Sequence, residues 1–100
     1  MKTKLEQTLE AVKIENLPKE RLDVLYSELA TLRSDIKMEL SKVLRAKAIF
    51  MLQNPEKSVA QRKIEWSGSE LGLREIELRS YVSALGDALE STKTKIYSLL

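Results

Sequence analysis

The chain has 100 residues, of which 43% are apolar and 32% charged, and a formal net charge of +2. That length suits one domain with a modest core, for which an elongated shape or an oligomer is a natural outcome. With no Cys and no His, the composition excludes disulfides, thiol nucleophiles, ordinary zinc sites and the imidazole general base.

Met1–Lys13 is charged throughout and carries no apolar signal segment, so a cytoplasmic location is expected. No apolar run approaches the roughly 18–20 residues of a membrane span, and no membrane association is expected. Residues 3–15 read as a short amphipathic helix with Leu5, Leu9 and Val12 on one face. At this length it needs a neighbour to be stable.

Pro18 suits a helix's first turn, where its missing N–H is harmless. From there the spacing predicts a long helix over 18–52. Leu22, Leu29, Ile36, Val43 and Phe50 recur every seven residues, with Leu25, Leu32 and Ala46 at most of the offset positions. Glu39 interrupts the series. This is a helix-packing seam roughly 50 Å long at 1.5 Å per residue.

Residues 53–56 read as a turn at Asn54-Pro55, followed by a possible capping box from Ser58 to Gln61. A second long helix is expected over 57–98. Leu71, Leu78, Leu85, Thr92 and Leu99 are spaced by seven, with Val82, Leu89 and Ile96 offset by four. The phase extends back to Ile64 and places Gly68 on the seam, so one helix through Gly68 is expected. The alternative has Ser67 as an N-cap with Glu70 completing a capping box.

The fold class is therefore all-α, a single domain over 1–100. It is a long antiparallel helical hairpin with a short N-terminal helix beside its open end, in an oligomeric, coiled-coil-like assembly.

Apolar residues also lie off the seam. Trp66, Leu73 and Ile76 share a second face, and Ile49, Met51 and Leu52 stand beside Phe50. Phe50, Met51, Trp66, Leu73 and Ile76, near the closed end and beyond reach of the first helix, are the candidate oligomer or partner interface. A homo-oligomer is expected over the alternative that the first helix buries them.

Charge is uneven. Lys42, Arg45, Lys47, Lys57, Arg62 and Lys63 face one acid, Glu56, whereas residues 64–100 hold four bases and six acids. A hairpin brings the six cations to its closed end, where they suit phosphate backbones, and Phe50 or Trp66 could stack on unpaired bases. The alternative is a solvated charge run beside packing aromatics. Acidic residues are spread like solvated helix faces, and no Gly-rich phosphate loop is present. No catalytic residue, metal site or cofactor is expected.

Two resemblances bear on function. Trp66-Ser67-Gly68 resembles the W-x-G motif of the WXG family of secreted helical hairpins. That family turns at this motif, whereas the turn signal here is Asn54-Pro55, and its C-terminal Tyr-x-x-x-acid signal is missing. From Leu22 to Leu99 the chain resembles the UvsY-type recombination mediators of T-even-like phages. The similarity lies in "IKMELSKVLRAKAIFML", a short polar turn, then "SELGLREIELRSYVSALGDALESTKTKIYSLL", with Tyr81, Leu89, Lys93 and Ile96 similarly spaced. This resemblance implies an oligomer that binds single-stranded DNA and helps load a recombinase, in the host cytoplasm if phage-encoded. Lys42, Arg45 and Lys47 fall in the family's basic stretch. The runner-up is an adaptor or inhibitor that docks a protein partner through its apolar face.

Overall fold

The computed structural model describes residues 3–100. Four helices follow in order: α1 (Lys4–Val12), α2 (Lys19–Gln53), α3 (Val59–Gly68) and α4 (Glu70–Ser98). The shape is elongated, 59 × 29 × 17 Å, because α2 and α4 lie side by side for most of their length.

Each helix begins where the local chemistry allows. Thr3 Oγ1 accepts from the Glu6 N–H at 3.1 Å and opens α1. Pro18 is extended, and its carbonyl accepts from Arg21 and Leu22 to open α2. The chain reverses over 54–58, where the Asn54 side chain donates to the Phe50 carbonyl at 3.0 Å. Ser58 and Gln61 then form a reciprocal capping box that starts α3.

The seam of α2 is used. Leu22, Leu25, Leu29 and Val43 are buried, and Leu32, Ile36, Ala46 and Phe50 pack beside them. From α4, Leu78, Leu85 and Thr92 are fully enclosed. Thr92 fits because its hydroxyl donates to the Ala88 carbonyl at 2.8 Å. The core has two parts. Toward the open end, Val12 of α1 joins Leu25, Leu29, Leu85 and Ala88, and Lys95 donates to the Val12 carbonyl. Toward the closed end, Val43, Trp66 and Leu78 pack together. Glu39, which interrupts the seam, forms a salt bridge across the hairpin with Arg74 at 3.0 Å.

The single helix expected over 57–98 is corrected by the structure, which breaks it at Ser69. That residue is extended (φ −80°, ψ 162°) and both ends α3 and starts α4. The Ser69 hydroxyl donates to the Trp66 carbonyl at 2.6 Å and accepts from the Gly72 N–H at 3.0 Å. Ser67, the alternative cap, lies inside α3 with its hydroxyl on the Lys63 carbonyl. The corner depends on Gly72, where a Cβ would meet the Trp66 carbonyl oxygen at 1.8 Å. The bend turns α3 so that Trp66 faces the core, 4% exposed, while Ile64 is 72% exposed. Gly68 is likewise off the seam, with open space where its Cβ would be. Burial of an indole with its N–H satisfied outweighs the helical hydrogen bonds lost at the corner.

Candidate functional site

Burying Trp66 places a polar cluster at the closed end. The indole N–H donates to Glu75 Oε1 at 2.8 Å, Arg79 Nε donates to Oε2 at 2.8 Å, and Lys47 Nζ lies 3.2 Å from Oε1. Glu75 is thus a buried acid that ties α2, α3 and α4 together. Burial alone would push its pKa up. The hydrogen bonds from Arg79, Trp66 and Lys47, with the nearby Lys47 charge, instead bring it down to about 2.

The six sequence-derived cations divide into two groups. Lys47 is held by Glu75, and Lys57 pairs with Glu65 at 2.8 Å. Arg62 donates through Nη1 to the Met51 carbonyl, and its Nε is buried without a hydrogen-bond partner. Lys42, Arg45 and Lys63 are exposed and, among the described residues, make no ion pair. Lys42 and Arg45 lie on α2 and Lys63 on α3. Half of the basic set is thus exposed and, among the described residues, without an ion pair.

The two aromatics proposed for base stacking are engaged with one another. Phe50 and Trp66 have ring centroids 5.7 Å apart at 47°. Trp66 is consequently withdrawn from the candidate partner interface, because its indole is enclosed within the chain. Phe50 and Met51 are half-buried, whereas Leu73 and Ile76 are each 60% exposed and adjacent on α4. The covering of Trp66 comes from the bend of α3, not from the first helix.

Another exposed stripe runs along the outer side of α2. Met38, Lys42, Arg45, Ile49 and Leu52 fall at alternating intervals of four and three residues and share one face. Leu52 is 79% exposed.

The residue missed from the sequence is Glu75. Its signal was present: it stands three residues before Leu78 and four after Leu71, inside the apolar stripe. An acid there needs buried partners, and Arg79, one turn on, is the nearest supply.

Among the described residues no group of three acids, His or Cys could hold a metal, and no helix is long and apolar enough to cross a membrane. No known protein family, characterised protein or solved structure matches the chain.

Proposed function

We propose that the chain is a non-catalytic binding protein that self-associates and carries single-stranded DNA on Lys42, Arg45 and Lys63. The observation that supports this is the contrast among closed-end cations: Lys47 and Lys57 have acidic partners, whereas these three have none among the described residues. Unpaired cations on two adjacent helices suit the phosphates of a flexible strand, and such contacts position it without reading its sequence. Self-association uses Leu73 and Ile76, which expose apolar surface that a second copy can cover. The UvsY-type resemblance adds the role: an assembly that holds a strand while a recombinase is loaded.

The test is binding to an oligo(dT) strand as salt is raised. Binding at low salt should weaken steeply. It should be lost in the triple substitution Lys42→Glu, Arg45→Glu, Lys63→Glu, with helical content unchanged. Absence of binding at low salt would overturn the reading.

The outer stripe of α2 favours a second reading. Met38, Ile49 and Leu52 in line with Lys42 and Arg45 suit an amphipathic partner helix with acids at its centre, in the manner of groove-docked helices. On that reading oligo(dT) does not bind, and Met38→Glu or Leu52→Glu disrupts capture of the partner.

A further inference from the structure

The segment 59–71 presents two apolar faces, and the bend at Ser69 uses only one. The bent form buries Trp66 and leaves Ile64 and Leu71 exposed, although both continue the spacing of Leu78 and Leu85. The register of the hairpin makes the other face usable. Arg33 Nε donates to the Val82 carbonyl, and Glu39 pairs with Arg74. Extended along two straight antiparallel helices, those pairings place Leu71 opposite Val43 and Ile64 opposite Phe50. The reversal then falls near residue 57, inside the turn the chain already makes. A straight helix from Val59 to Ser98 therefore needs no new loop and no shift of α2 against α4. The bent form has its own penalty in the partnerless, buried Nε of Arg62.

We infer that α3 and α4 form a two-state element, bent at Ser69 with Trp66 enclosed or straight with Ile64 and Leu71 on the seam, and that single-stranded DNA selects the straight state. The coupling to DNA rests on the nucleic-acid reading above; the two packings do not. Straightening releases Trp66 from Glu75 and Arg62 from the Met51 carbonyl. It adds a stacking surface and a fourth free cation beside Lys42, Arg45 and Lys63. A ligand that contacts Trp66 binds only one of the two states, which is what a shift in population requires.

The chain has no cysteine, so Ala60→Cys and Glu90→Cys accept one spin-label pair at exposed positions. A straight helix sets these residues about 45 Å apart at 1.5 Å per residue; the bent form is shorter. In protein alone, Gly72→Ala should move the distance to the long value with helical circular dichroism retained, because its Cβ cannot fit the corner. Ser69→Ala, which removes both hydrogen bonds of the Ser69 hydroxyl without a clash, should raise the long-distance population. Adding Ile64→Lys should reverse that rise. If Ser69→Ala keeps the wild-type distance, or Gly72→Ala loses its helical signal, the two-state element is refuted. Oligo(dT) should then lengthen the distance in the protein with Ser69, Gly72 and Ile64 intact and quench Trp66 emission. Binding with neither change refutes the coupling alone. No binding refutes the nucleic-acid reading, while the Ser69→Ala distance still decides the two packings.

Discussion

Trp66 and Glu75 are joined by a 2.8 Å hydrogen bond that spans the Ser69 corner. The indole packs against Phe50 while the carboxylate also receives Lys47 and Arg79. A single contact thus couples the break in the helix to the closed-end core.

The acid range should report on this contact. The Glu75 pKa is lowered from 4.5 to about 2 in the folded chain. A depressed carboxyl pKa contributes stability in full above the unfolded value and loses it as pH falls toward the folded value. Melting temperature should therefore drop between about pH 4.5 and pH 2, followed by circular dichroism and Trp66 emission. Glu75→Gln should melt lower at pH 7 and show a flatter decline across that window.

Core truncation should separate the used seam from the unused one. Leu29 and Leu85 are wholly enclosed, so Leu29→Ala or Leu85→Ala should cost about 2–5 kcal/mol in urea denaturation. Ile64→Ala belongs to the same heptad series, but its exposed side chain should change stability by less than about 0.5 kcal/mol.

Replacement of the free cations should alter salt dependence in a graded way. Each phosphate contact on a single strand contributes about 0.7 to the slope of log affinity against log salt. Reversing Lys42, Arg45 and Lys63 one at a time should lower the slope by about that amount each. Lys57→Glu removes a cation that is already paired with Glu65, so it should leave the slope nearly unchanged. Fluorescence titration at several salt concentrations measures both.

Self-association through α4 should fail when its apolar pair is charged. Leu73→Glu with Ile76→Glu should bring the mass from light scattering to that of one chain. Helical content should stay the same, because both side chains already face outward. A single-chain mass before substitution would remove the assembly altogether.

The hairpin was legible because Leu22, Leu29, Val43, Leu78 and Leu85 repeat at the helical interval and nothing competes with them. The turn was legible because Asn54, Pro55 and Ser58 have strong local preferences. Ser69 was not. Its effect depends on Gly72 admitting the Trp66 carbonyl and on Glu75 waiting nine residues from Trp66, and neither is a local propensity. The same corner explains the mixed outcome for the candidate surfaces. Turning α3 inward took Trp66 out of solvent and Arg62 onto α2, and left Leu73 and Ile76 outside. Pairing of Lys47 with Glu75 and of Lys57 with Glu65 was equally hidden, since it depends on which acids the packed helices and the turn bring near.

At the opposite end, Asn16 is the one described residue other than glycine with a positive φ, 61°. It turns α1 back onto the hairpin, a task suited to an asparagine. α1 spans only nine residues and is held by Val12, its apolar neighbours and the Lys95 contact. Amide protons of α1 should exchange with deuterium well before those around Leu29 and Leu85, as expected if this clasp opens before the rest of the fold.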